Sequence, residues 1–422
     1  MRATSTITLA GVAVALSASR ASGDTWMLGV NEAISVPAAH GIGAEADALL
    51  DAQAEKLTAT GARYVRLNAS STPRLFRVLR QEVPDWTEVD KAMRRLGALD
   101  VAVVVVVAPW PANEPWTMVA SCAIETPEAW QRRVQHLVER YDGDGKDDAP
   151  GAARVVAWEV DNEPDLHEDM RPGFCPPELH AETVRVTAEA IKRADPSATV
   201  LNGGLYRPHS ALGKAYLASA VAAGLADHID GFAGHVYPSA GNESLAVERL
   251  VRNVREVLGE MPIWITETSS IGEGDGTGPA GEAEQARAFA EVVGTARRLG
   301  VHALFWHTLT DPPIMRPGGV PYPGLFAVEV KEKEDGKVSV GGWREKPAVE
   351  VFRRMRTAGQ GSGSSGGVSW SRVAGGWMVW SDSKKPGCGR PPAVPHGIAG
   401  GKVEADPCGW QIDGAAFAAD QK

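Results

Sequence analysis

Two glutamates stand where this chain can do chemistry. Glu163 closes the run VVAWEVDNEP, and Glu267 closes PIWITETSS. Apolar, β-branched residues precede each one, so each carboxylate sits where a buried strand runs out. Two carboxyl groups on one face are what retaining cleavage of a glycosidic bond requires. One protonates the leaving oxygen and the other attacks the anomeric carbon, ~5 to 5.5 Å away. A lone glutamate at a strand end is most often a solvated or salt-bridged carboxylate, so the reading rests on the pair.

Other motifs are weaker. Gly276, Gly278 and Gly281 form a formal G-x-G-x-x-G that does not directly follow a strand, so it offers no dinucleotide cradle. Gly363 to Gly367 match G-x-S-x-G inside a Ser/Gly run, where no strained elbow is expected. There is no H-E-x-x-H and no C-x-x-C, so neither a cofactor nor a catalytic metal is expected. The run YDGDGKDD sets Asp142, Asp144, Asp147 and Asp148 at a spacing loosely like a calcium loop, but without the distal glutamate. It precedes the fourth strand, on the side away from the chemistry. A solvated acidic turn is the favoured reading, with structural calcium at Asp142 and Asp144 as the alternative.

The elements that must position the two glutamates alternate in type. Strands are predicted at Trp26 to Asn31, Arg63 to Asn68, Val101 to Ala108, Val155 to Val160, Thr199 to Gly203, Ile229 to His235, Ile263 to Glu267 and Ala303 to His307. The third is apolar throughout, as a strand covered on both faces should be. Amphipathic stripes fill the gaps. Val247, Leu250, Val251, Val254 and Leu258 share one helical face, as do Ala286, Phe289, Ala290, Val293 and Ala296. Strand–helix alternation repeated eight times predicts an α/β fold, the (β/α)8 TIM barrel. In such a barrel the strand ends that carry Glu163 and Glu267 converge at one mouth.

WEVDNEP resembles the fourth-strand proton-donor motif of the clan A glycoside hydrolases, and PIWITETS resembles that clan's seventh-strand nucleophile. The pattern is most similar to the family 39 and family 5 types, over roughly Met27 to Thr357. The resemblance implies Glu163 as acid/base and Glu267 as nucleophile. It implies that Asn162 holds the sugar 2-hydroxyl and that Arg66, in YVRLN, lies beneath the nucleophile. His235 and Tyr237, in GHVYP, would attend it, and Trp306, in LFWHTLTD, would be the floor on which the sugar stacks. Asp161 departs from the pattern, which commonly has an uncharged residue there. Trp110, Trp116, Asp165 and His167 lie on loops that could line further subsites, and Arg171 and Arg207 leave a uronic acid open.

The chain has 422 residues, 44% hydrophobic and 23% charged, enough for one large barrel with an appendage. A formal net charge of -10 and the absence of a basic run argue against nucleic acid. Arg2, the apolar run Ile7 to Leu16 and the small residues Ser19 and Ala21 read as a signal peptide over residues 1–22. The expected location is secreted or periplasmic, with no membrane span after its removal. The barrel would cover 23–357, a Gly/Ser linker 358–367, and a small disulfide-stapled β segment 368–422. Of three possible cysteine pairings, Cys122 with Cys175 and Cys388 with Cys408 keep each bridge within one region. The expected activity is retaining hydrolysis of O-glycosidic bonds, β-linked, in poly- or oligosaccharides through a covalent glycosyl-enzyme. The alternative is a barrel that binds carbohydrate without cleaving it.

Overall fold

The computed structural model describes residues 26–31, 46–68, 79, 84–109, 122–124, 126–166, 175–270, 278–311, 323–332, 338–356, 362–365, 368–373, 376–381, 403–406 and 409–413. The residues read as a signal peptide, together with Cys388, Cys408, Trp110, Trp116, His167 and Arg171, lie outside the described residues.

Eight strands form one parallel sheet. They are β1 (Met27–Asn31), β2 (Tyr64–Leu67), β3 (Ala102–Val107), β4 (Val155–Asn162), β5 (Thr199–Gly204), β6 (Phe232–Val236), β7 (Ile263–Thr268) and β8 (Ala303–His307). Their spatial order is β5-β4-β3-β2-β1-β8-β7-β6. Parallel bridges from Leu201 to Gly231 and from Leu205 to Gly234 join the two outer strands, so the sheet closes into a barrel. Among the described residues, eight helices alternate with the strands: α1 (Ala46–Thr60), α2 (Thr87–Ala98), α3 (Pro127–Tyr141), α4 (Pro177–Ala194), α5 (Ala211–Ala222), α6 (Glu243–Leu258), α7 (Gly278–Arg298) and α8 (Pro347–Arg356). The fold is a (β/α)8 barrel.

Strand alternation divides the core in two. Met27, Val104, Ala157, Leu201, Ala233, Trp264, Ala303 and Phe305 pack inside the barrel. The other strand face packs on the helices through residues such as Val103, Val105, Val200, Val247 and Phe289. Gly29 is needed for the inner layer, because a Cβ there would come within 2.5 Å of the Phe305 ring.

Beyond β8 the chain adds an antiparallel hairpin, β9 (Phe326–Glu332) with β10 (Val338–Glu345), before α8. A five-stranded antiparallel sheet follows α8. It comprises β11 (Ser362–Ser365), β12 (Val368–Val373), β13 (Gly376–Ser381), β14 (Val403–Asp406) and β15 (Gly409–Asp413). The Gly/Ser stretch expected to be a linker contributes β11, which pairs with β12. Ladder bonds come from the backbone, so a composition that suggests a flexible linker does not prevent an edge strand. The β12 strand lies against α7 and α8.

Cys122 and Cys175 form a disulfide, with Cα atoms 5.8 Å apart. The acidic turn is held by its own amides. Asp148 accepts from the Gly143 and Gly145 N–H groups, Asp142 from Asp144, and Asp144 from Lys146. With these oxygens already in Asx-type turns, the structure gives no support to calcium at Asp142 and Asp144. Among the described residues, no helix is long and apolar enough to cross a membrane.

Candidate active site

Arg66, on β2, organises the mouth of the barrel. It is fully buried, and a guanidinium has five N–H bonds to give. All five are spent. Nε and Nη2 form a fork on Glu159 at 2.7 and 2.8 Å. Nη1 donates to Asn31 Oδ1 at 3.1 Å and to Glu267 Oε1 at 2.7 Å. Nη2 also donates to Asn162 Oδ1 at 2.8 Å. Burial works to lower the Arg66 pKa, but the Glu159 and Glu267 carboxylates outweigh it and raise its pKa above the usual range.

The two candidate catalytic groups come from irregular strand ends. The pairing of β7 with β6 shifts register between Gly234 and His235, and its pairing with β8 shifts after Ile265. Consecutive residues of β7 therefore both reach the barrel interior. Thr266 Oγ1 donates to Glu159 at 3.2 Å, and Glu267 meets Arg66. At the end of β4, Asp161 and, one residue past the strand, Glu163 have left-handed backbones, φ 77° and 53°. Asp161 accepts the Asn162 N–H, and its carboxylate lies within 4.8 Å of Cys175 and His180, away from the mouth. Asn162 and Glu163 then face inward in its place. Non-glycine residues in this conformation are uncommon and cluster at functional sites.

Glu267 is gripped at both oxygens. Oε1 takes Arg66, with Asn68 Nδ2 at 3.4 Å, and Oε2 takes the Tyr237 hydroxyl at 2.6 Å. Burial works to raise its pKa, but the His235 and Arg66 charges prevail and hold it well below the usual carboxylate range. Glu163 Oε1 lies 2.9 Å from His235 Nδ1, which is itself 3.6 Å from Glu267 Oε2. An oxygen of each glutamate and a nitrogen of this ring all fall within 4.8 Å of one another. Burial lowers the His235 pKa, yet Glu267 and the Glu163 hydrogen bond leave it raised overall. Three such groups could surround a cation, but here both Glu267 oxygens accept from strong donors. His235 Nδ1 shares a hydrogen bond with Glu163 Oε1 between the carboxylates, so the set suits proton chemistry better than metal binding.

The structure thus brings together Glu163, Glu267, Arg66, Asn162, His235 and Tyr237. It does not bring Trp306 with them. Trp306 is fully buried against Phe289 on the helix side of β8, and its Nε1 donates to Pro323 O. It has no face to offer a sugar. The expectation fails by one residue: Ala303 and Phe305 point into the barrel, so period-two alternation puts His307 at the mouth. His307 Nδ1 is 2.9 Å from Asn31 Nδ2, and its ring meets Tyr237 edge-on.

Sequence reasoning also missed Glu159. Its carboxylate is wholly buried and accepts from Arg66, Thr266 and the Gly204 N–H. The signal was available, since a charge inside an otherwise apolar strand must be paired. Gly204 itself cannot carry a Cβ, which would stand 2.2 Å from His235 Nε2. Asp165, on the loop after β4, accepts the Tyr206 N–H at 2.6 Å and ties that loop to the one after β5. Burial pushes its carboxyl up to about 6. Arg207 stacks on the Tyr206 ring, 4.6 Å from its centroid.

No protein-family model matches the chain, and no curated protein matches it. Solved structures do. A glucosidase from Croceicoccus marinus aligns with TM-score 0.58 at 13% identity, over 84% of this chain and 72% of that one. A GH39 β-xylosidase from Caulobacter crescentus aligns with TM-score 0.56 at 20% identity, over 86% and 79%. Xylanase 10B from Thermotoga maritima aligns with TM-score 0.52 at 16% identity, over 79% and 95%. At these identities the likeness shows a shared barrel fold, and the chemistry must be argued from the site itself.

Proposed function

We propose that this protein is a retaining glycoside hydrolase that cleaves β-linked glycosides by double displacement. One observation carries the reading. Arg66 and Tyr237 hold one carboxylate, Glu267, as an anion, while a second, Glu163, lies close enough to share His235 with it. An oxygen of each within 4.8 Å fits the short separation of retaining pairs better than the wider gap that admits a water in inverting ones. The barrel likeness to xylosidases and xylanases is consistent with it.

In the first step Glu267 attacks the anomeric carbon while Glu163 gives its proton to the departing oxygen. Arg66 and Tyr237 keep the nucleophile ionised and oriented, so little reorganisation is left for the moment of reaction. Asn162 has its oxygen fixed by Arg66, so its amide nitrogen is the end that would meet a substrate hydroxyl. In the second step Glu267 is an ester and no longer charged. Glu163 then takes a proton from water, and the water displaces the enzyme from the sugar.

We further propose that the enzyme works outside the cytoplasm. The leader-like N-terminus and the Cys122–Cys175 disulfide support this. The test is a panel of 4-nitrophenyl glycosides and β-glycan oligosaccharides, with the first-formed product anomer read by NMR. Net retention on a β-glycoside is expected. Inverted product would contradict the mechanism, and glycan binding without turnover would favour the non-catalytic alternative.

A further inference from the structure

We propose that His307 is a specificity-determining residue. It donates an Nε2–H hydrogen bond to a hydroxyl of the sugar at the reaction centre, on the wall where the sequence suggested an aromatic platform. The inference rests on the glycosidase reading and deepens it.

Arg66 can only donate. Its Nη1 faces Asn31 at 3.1 Å, so the Asn31 atom it meets must be the oxygen. That fixes the amide orientation and turns the Asn31 NH2 group toward His307. The atom facing that donor, His307 Nδ1 at 2.9 Å, must therefore accept. A ring that accepts at Nδ1 carries its proton on Nε2. His307 is thus held as one tautomer by a relay that runs from the buried guanidinium through Asn31.

His307 is only partly buried, and no described residue takes its Nε2. The ring stands edge-on to Tyr237, 6.1 Å between centroids, and Tyr237 holds the nucleophile. An oriented N–H donor beside the nucleophile selects for a sugar that presents a hydroxyl, rather than an apolar ring face, toward β8. A site built around such a donor discriminates against a substrate lacking the hydroxyl, because the donor is left unpaired.

The test uses the full-length enzyme and the 4-nitrophenyl β-glycoside it turns over fastest, together with that glycoside's monodeoxy analogues. Wild type should lose roughly tenfold or more in kcat/KM at one hydroxyl that H307F no longer distinguishes from its deoxy form. H307Q, which can restore an N–H near the same place, should recover part of that discrimination. Independently of any variant, 15N NMR of the wild type should show His307 protonated at Nε2 and not at Nδ1. A proton on Nδ1, or unchanged discrimination at every hydroxyl in H307F, overturns the contact alone. A wild type inert on every glycoside overturns the glycosidase reading, and the sugar contact with it.

Discussion

Arg66 shows how tightly single residues are committed at this site. Its five donors meet Glu159, Glu267, Asn31 and Asn162, and the two carboxylates balance a charge that is wholly out of water. A lysine has three donors on one point charge and cannot span those acceptors. R66K should lose about 3 kcal/mol of stability, because buried Glu159 is left poorly paired. Its kcat should fall on the order of a hundredfold as Glu267 loses its orientation. Urea unfolding and steady-state kinetics check both, and a variant with wild-type kcat would remove Arg66 from the account. At this scale the sequence was legible where a motif fixed the residue. Asn162 and Glu163 stand in Asn-Glu-Pro, and Arg66, His235 and Tyr237 close their strands. It was not legible where facing had to be inferred. Trp306 is the bulkier and more suggestive aromatic, yet the register that pairs Asn31 with His307 sends it outward.

The strands were readable because apolar runs of this length, separated by amphipathic helices, leave few alternatives. Predicted and observed boundaries of the eight barrel strands differ by only a few residues at each end. The irregularities that aim the chemistry were not readable. Neither the register shift in β7 nor the left-handed backbone at Asp161 and Glu163 has a composition signature, since each depends on what the neighbouring strand presents. The β9–β10 hairpin was also missed, because its two strands fall where only a loop was needed to reach α8. On α4, His180 is fully buried beside the Asp161 carboxylate and the Tyr216 ring, and neither ring nitrogen has a hydrogen-bond partner among the described residues. Burial lowers its pKa to about 3, against an ordinary value of 6.5. The folded protein therefore resists protonation there while the unfolded chain accepts it. Stability from this group is intact above about pH 6.5 and is lost as pH falls from there toward 3. H180L should remove that dependence and gain as much as ~3 kcal/mol over wild type by pH 4, less whatever nearby Asp161 offsets. Denaturant melts at pH 7 and pH 4 check it, and equal acid sensitivity in the two proteins would show that His180 is not responsible.

For the whole molecule, closure of the barrel makes the site possible, because β2, β4, β6, β7 and β8 all deliver side chains to one mouth. The disulfide adds a constraint between neighbouring units by joining the segments that follow β3 and β4, 53 residues apart in sequence. A loop of that length predicts a stabilisation of about 4 kcal/mol through the unfolded chain. The paired replacement of Cys122 and Cys175 by Ala should lower the urea midpoint accordingly, and an unchanged midpoint would mean that the bridge adds nothing. The C-terminal sheet was foreseen as a β appendage but not in its pairing, since glycine and serine leave the composition silent about which backbone groups will meet. The central claim is that Glu267 becomes covalently bonded to sugar with Glu163 as its acid/base. The most direct measurement is to incubate the enzyme with a dinitrophenyl 2-deoxy-2-fluoro-β-glycoside and map the product by mass spectrometry. The fluorine slows the second step, so the intermediate should accumulate with a burst of one dinitrophenolate per enzyme. The peptide carrying Glu267 should gain the mass of one fluorosugar, and the adduct should disappear when a good acceptor alcohol is added. Turnover of the parent glycoside without any adduct, or an adduct on a residue other than Glu267, would contradict the account.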